Sequence, residues 1–402
     1  MFVCVFVFAL VFAGCASTSG NNGAVKVGPK PSSAFEKQPD EAILELPKLD
    51  VIIPVFNPGL SEDEENYEEE GIWPELRRAE ANRFAYKLKQ ALDESGAFGA
   101  VRVTPDQTAS GDLYVLGTID QSDGEDVAFH LNVVDISGKQ WLDRDFSHEV
   151  EASFYKNTRN TGQDAYDPVF EKAARKIVKA LRKHHASELD NLKYLANLQF
   201  GASFNELAFS EYMQTDGGHV KLVSKPSDQD PLFQRVQAIR VQEQLFVDNL
   251  QNNYALFSQN MTDSYLAWQK ASFIEKQLKS DAETTGILKI AGGVVLIALA
   301  IAAAAFDGGT ALNIALGTAA AVGGIGGATM IASGYQSTEE AKFHQDALNE
   351  VGESINLEMS PQLISLENET VKLTGNAQEQ FAQWREFLKR IYEQESTPDT
   401  KL

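Results

Sequence analysis

Few residues in this chain have the types and spacing that chemistry requires. There are two cysteines, Cys4 and Cys15, both inside the N-terminal segment "MFVCVFVFALVFAGCASTSGNNG". A thiol is a nucleophile, a metal ligand or an acyl acceptor, but two thiols without spaced histidines do not read as a metal site. The six histidines are scattered, and the adjacent pair His184-His185 cannot ligate from one helical face. It lies where a helix should end, and cations are favoured there. "GGIGGAT" (Gly323–Thr329) is glycine-rich, yet no lysine follows to meet a phosphate. No HExxH, GxSxG or P-loop pattern occurs. We expect no catalytic, cofactor-binding or metal-ligating residue, no cofactor and no enzymatic activity. The formal net charge of −22 argues against nucleic acid, whose phosphates would repel the chain. Carboxylates crowd in "SEDEENYEEE" (Ser61–Glu70). That run could dock a basic partner or divalent ions, but like charges this close repel and read first as a solvated loop.

The one thiol with a chemical context is Cys15. An apolar run too short to span a membrane, which needs about 20 residues, ends in Phe12-Ala13-Gly14-Cys15. This arrangement resembles a bacterial lipobox. The resemblance implies that residues 1–14 are a signal peptide cut off before Cys15, and that Cys15 is lipidated. Phe12 stands where leucine is usual, and no Lys or Arg precedes the apolar run, although secretory signals normally carry one. Ala16, rather than Asp, follows the cysteine. By the family's sorting rule this implies the outer membrane of a Gram-negative cell. "STSGNNGAVKVGPKPSS" then reads as a flexible linker. With Cys4 lost in the signal, the mature chain would have no disulfide and would rest on packing.

A second anomaly lies late in the chain. From Ile290 to Thr338 the only charged residue is Asp307. Two apolar segments, 290–306 and 310–335, are separated by Asp307-Gly308-Gly309, which is turn chemistry. We expect a helical hairpin with these three residues at its tip. Glycines such as Gly317, Gly323 and Gly327 allow close helix approach in lipid. The expectation is membrane insertion of residues 287–336, with a buried soluble core as the competing reading.

These features need elements to position them. "LDVIIPVFNPG" (Leu49–Gly59) reads as a buried strand. A helix from Pro74 to a Gly96 C-cap places Leu76, Phe84, Leu88 and Leu92 on one face. "AVRVTP" is a short strand, and three alternating strands follow with turns at Ser122–Gly124 and Ser137-Gly138. A second helix carries Val169, Ala173, Ile177 and Leu181 on one face. The order is β-α-β-β-β-β-α. With the phrases "VIIPVFNP", "LKQALDESGAFGAVRV", "GDLYVLGTIDQSDG" and "LNVVDISGKQWLDRDF", it resembles the TolB N-terminal-like (CsgG/LpoB-like) α/β domain of envelope lipoproteins. The likeness implies a fold, not an activity, because that fold hosts channels, activators and scaffolds.

Beyond a linker near Gln214–Pro231, residues 232–283 contain no Gly or Pro. Positions 232, 236, 239, 243, 246, 250, 253, 257, 261, 264, 268 and 271 follow a heptad, and nine of the twelve are apolar. This seam should pack within the chain or form an intermolecular coiled coil. "STEEAKFHQDALNEVGESINLEM" (Ser337–Met359) should return as an amphipathic helix. The tail holds a short strand and a helix with Phe381, Trp384, Leu388 and Ile391 on one face. Trp384 reads as core, or less simply as a partner anchor.

The expected fold class is α+β: a TolB-like α/β domain, then a mostly helical region with a long helical hairpin carrying an apolar Gly/Ala-rich tip. The expected organisation is signal peptide 1–14, linker 15–45, α/β domain 46–185, connecting segment 186–230, helical hairpin 231–360 with membrane hairpin 287–336, and C-terminal strand and helix 361–402. The expected role is a non-enzymatic outer-membrane lipoprotein, facing the periplasm, in assembly of an export- or secretion-type envelope complex. Its partners would be membrane lipid through acylated Cys15 and residues 287–336, envelope proteins and further copies of itself. The alternatives are an α-helical pore former and a lipid-anchored activator of a periplasmic cell-wall enzyme.

Overall fold

A computed structural model of the chain describes residues 45–61, 67, 72–285, 346–350, 352, 357, 359–366 and 369–396. Strand β1 (Val51–Pro54) is a short run buried at every position. That pattern suits a strand covered on both faces. Helix α1 (Pro74–Glu94) starts with proline in its first turn and gives way to Gly96 at φ +60°, a left-handed stop that glycine adopts without strain. Strand β2 (Val101–Thr104) returns parallel to β1, in register Val51 to Val101. Strands β3 (Leu113–Ser122), β4 (Asp126–Asp135) and β5 (Gln140–Glu149) form the expected meander. The sheet order is β2-β1-β3-β4-β5, with β1 parallel to both neighbours and β3 to β5 antiparallel. Helix α2 (Asp167–Leu181) closes the α/β layer.

Alternation along β4 decides which face is covered. Val127, Phe129, Leu131 and Val133 are buried, and the residues between them are half-buried. On the buried side Phe129 stacks on Phe170 of α2 at 5.4 Å between ring centres and meets Phe84 of α1 edge-on at 6.2 Å. Phe84 and Phe170 touch each other at 5.1 Å. Each fully buried phenylalanine contributes about 1.5–3 kcal/mol from burial, and this aromatic cluster joins β4 to both α1 and α2.

The stretch read as a connecting segment is structured. Helix α3 (Ala186–Ala202) is followed by a hairpin of β6 (Met213–Asp216) and β7 (His219–Leu222). Its turn is Gly217-Gly218, both at positive φ, inside the run read as linker. The heptad run is not one helix. It divides into α4 (Pro231–Asn260) and α5 (Thr262–Thr285), with Met261 between them. At that joint the Ser258 carbonyl accepts bonds from the Thr262 hydroxyl at 2.7 Å and from Arg83 at 3.1 Å. Side chains competing for a helical carbonyl in this way bend or interrupt a helix. The seam itself is packed within the chain: Val236, Ile239, Phe246, Leu250, Met261, Trp268 and Ala271 are buried.

A helical turn at 346–350 returns to α1, where the Trp73 indole donates to Asn349 at 3.0 Å. A second hairpin, β8 (Gln362–Leu366) with β9 (Glu369–Leu373), precedes α6 (Ala377–Ser396). Phe381, Trp384, Leu388 and Ile391 are all buried. Every described residue falls within one unit, Pro39–Leu402. The architecture is α+β: a mixed five-stranded sheet with flanking helices, then a helical region.

Candidate functional site

Cys15, Asp307, Gly308, Gly309 and residues 287–336 lie outside the described residues, as does most of the acidic run. Tyr67 of that run is buried, with its hydroxyl donating to the Ser61 carbonyl. His184 stacks on Trp141 at 4.2 Å. The His185 backbone N–H is taken by Glu188 at 3.1 Å as α3 begins. Both histidines therefore serve local structure. Trp384 is closed in against Phe246 at 5.6 Å, which leaves no indole face to anchor a partner. Among the described residues, no three His, Cys, Asp or Glu side chains are arranged to hold a metal, and no helix is long and apolar enough to cross a membrane.

What the structure brings together instead is a set of buried charges that fasten α4 and α5 to the α/β layer. The first lies at the α4–α5 joint. Arg83 of α1 donates through one nitrogen to the Ser258 carbonyl and hydroxyl and to Thr262, and through the other to Asp164 at 2.7 Å. Its guanidinium sits 4.6 Å from the centre of the Tyr265 ring. Asp164 is set by its own loop. Gly162 turns the chain at φ +77°, the Tyr166 N–H donates back to Asp164, and α2 begins at Asp167. Gln269 of α5 donates to the same carboxylate at 2.8 Å, and Lys87 lies 3.6 Å away, bonded to Asp167. Burial alone would raise the Asp164 pKa. Arg83, Lys87 and the Tyr166 N–H outweigh it and hold the carboxyl below its usual range.

Glu80, one turn earlier on α1, has the opposite balance. Its carboxylate is fully buried and accepts from Ser122 of β3 and from the Tyr265 hydroxyl of α5, the latter at 2.7 Å. The nearest cation, Arg77, is 3.6 Å away without a hydrogen bond, and the second carboxylate oxygen has no partner. Burial pushes this carboxyl up to about 7, against the pull of Arg77 and the two hydroxyls.

A second set lies at the other end of the sheet. Arg240 of α4 donates to Ser110, to Asn197 of α3 and to Asp112, which in turn holds the Asp50 N–H at 2.8 Å. Glu243, also on α4, holds the Ser110 N–H at 2.7 Å and faces Arg385 of α6 at 3.4 Å. Burial raises both Asp112 and Glu243, with Arg240 and Arg385 opposing. On the open edge of β2, the Gln251 amide accepts from the Val103 N–H at 2.9 Å and donates to the Val103 carbonyl at 2.8 Å. It satisfies an edge strand that would otherwise be free to pair. Arg102 bonds Asp248 at 2.6 Å. Near the far end of α5, Lys276 meets the β3–β4 turn through Asp123 and Asp126 at 3.0 and 2.5 Å.

Beside the joint is an open cleft of about 470 Å³, lined in part by Tyr86, Gln90, Gln163 and Gln259. Its two cations, Arg83 and Lys87, already face Asp164 and Asp167. Glu80 does not line it. What these buried groups do is tie α4 and α5 to the α/β layer. Sequence reasoning missed these residues because the partners are 42 to 185 positions apart. One signal was present: Glu243 occupies a core position of an apolar heptad seam, where a charge needs a buried partner.

Comparison with known proteins finds no matching family model, no similar curated protein and no similar solved structure.

Proposed function

We propose that the chain is a non-enzymatic, outer-membrane lipoprotein that helps assemble or hold an export-type envelope complex. In this reading the α/β layer is TolB-like and acylated Cys15 ties it to lipid. The helices that follow carry the apolar 287–336 hairpin, which enters a membrane. The observation that carries the reading is Phe12-Ala13-Gly14-Cys15 directly after an apolar run. The buried charges at the α4–α5 joint give it a mechanical sense. They hold α5, from whose end the chain continues to residue 290, at a fixed angle to the sheet. A part that must present an apolar segment to a membrane at a set place needs such a fastening. Further copies and envelope proteins would be the partners, and a secreted cargo or a cell-wall enzyme the client.

The test is Cys15→Ser in cells fed a palmitate analogue. The proposal expects label on the wild-type chain, none on the variant, and loss of the variant from the membrane fraction. A variant that still labels and fractionates as wild type defeats it. Ion leakage through planar bilayers would move the assignment to a pore former.

A further inference from the structure

The outward face of α4 is built against the usual rule. A surface helix turns its charges to water and its apolar stripe to the core. Only four of the 30 residues of α4 are charged: Arg235, Arg240, Glu243 and Asp248. All four are engaged by the rest of the fold. Arg235 donates to the Tyr392 carbonyl of α6, and Arg240 and Glu243 are buried. Asp248 is bonded to Arg102. The solvent face is left with Ala238, Val241, Leu245, Asn249, Asn252 and Leu256, with the half-exposed Asp248 at its edge turned to Arg102. Val241, Leu245 and Leu256 are 49%, 51% and 54% exposed. The steps are three or four residues throughout, on the side of α4 opposite the buried seam.

We propose that this strip is the contact face for a second copy of the same chain, paired about a two-fold axis. The charge pattern selects the occupant. Two chains of net charge −22 repel over most of their surfaces, and this helix face is one on which neither presents an unpaired charge. A basic partner would look for free carboxylates, and an anionic membrane surface for lysines; the strip offers no lysine, and its one carboxylate, Asp248, is already paired with Arg102. Asn249 and Asn252 each carry a donor and an acceptor, so the strip can satisfy itself, as an isologous contact must. Size sets the strength. The strip from 238 to 256 is about 28 Å long and about 10 Å wide, which gives on the order of 300 Å² per partner against about 800 Å² for a standard interface. The dimer is therefore weak in solution and is strengthened wherever the chains are concentrated, as on a membrane. The pairing does not depend on Cys15, so it stands or falls apart from the lipoprotein reading.

The experiment uses the full chain in mild detergent, with a photo-crosslinking residue at Asn252 and equal parts of isotopically heavy and light protein. We expect mixed heavy–light crosslinks that map to 238–259, and concentration-dependent dimers by light scattering. Val241→Lys with Leu245→Lys should abolish both without changing the melting temperature, and so should Leu256→Lys. Crosslinks within one chain to residues 290–338 would overturn the proposal by making that segment the occupant. A monomer at high micromolar concentration, or a dimer that survives either lysine variant, would overturn it as well.

Discussion

Two sets of helices are held to one sheet by different physics. Helices α1 and α2 are held by apolar packing, centred on Phe84, Phe129 and Phe170. Helices α4 and α5 also bury apolar side chains, but their contacts with the layer are pinned by Arg83–Ser258, Gln269–Asp164, Glu80–Tyr265, Arg240–Asp112 and Gln251 on the β2 edge. Apolar packing is tolerant of angle, because any well-filled arrangement buries similar area. A buried charge accepts few arrangements, since losing its partner leaves it stranded. The difference suggests that α1 and α2 are there to make a core, whereas α4 and α5 are there to be held at one angle.

The contrast can be broken first at Asp164. Asp164→Ala strands Arg83 and removes acceptors from Tyr166, Gln269 and Arg83 itself. Loss of one member of a buried pair costs about 3–5 kcal/mol, to be read as a lowered denaturant midpoint. Arg83→Met combined with Asp164→Leu should recover most of that stability, because a buried pair replaced by apolar groups is often neutral. Phe129→Ala should cost a similar 3–5 kcal/mol or so, but no second polar change should rescue it.

Glu80 gives a smaller effect of opposite sign. The folded chain keeps its proton up to about pH 7, whereas the unfolded chain loses it near 4.5. Stability contributed by this group is therefore greatest at low pH and falls as pH rises from about 4.5 to about 7. The full difference is about 3 kcal/mol. Glu80→Gln keeps an acceptor for Ser122 and Tyr265 and carries no charge. We expect it to raise the melting temperature at pH 8, to do little at pH 4, and to flatten the curve between. Thermal melts across that range check this, and an unchanged slope would remove Glu80 from the account.

Gln251→Ala should cost about 1–3 kcal/mol, because it leaves the Val103 N–H and carbonyl without their side-chain partner. The smallest change is expected from Lys276→Ala. The ion pairs lost are part-exposed, and such pairs contribute up to about 1 kcal/mol. Chemical denaturation of both variants orders them.

The same contrast explains how much could be read from the residues. The α/β layer was legible almost element by element, because its signals are periodic and local. Val127, Phe129, Leu131 and Val133 alternate, and Gly96, Gly124 and Gly138 mark stops and turns. The inner seam of α4 was legible for the same reason. The break at Met261 was not, because Arg83, far back in the chain, joins Thr262 on the Ser258 carbonyl there. The β6–β7 hairpin was read as linker, since Asp216-Gly217-Gly218 signals a turn and the four-residue strands beside it are polar and mostly exposed. No periodicity connects Asp164 to Arg83 or Tyr265 to Glu80, so the fastening site could be found only in three dimensions. Cys15 and the Asp307 turn are readings of sequence alone, and their tests are chemical.

The central claim is that the sheet and helices α4 and α5 form one cooperative body with a fixed joint. Native-state hydrogen exchange tests it directly, with peptides from 113–135 and from 231–275 followed in the wild type and in Asp164→Ala. The account predicts that both sets open with the same free energy, and that the substitution lowers both by the same amount. Helix peptides that exchange at lower cost while the sheet stays protected, or a substitution felt by the helices alone, would contradict it.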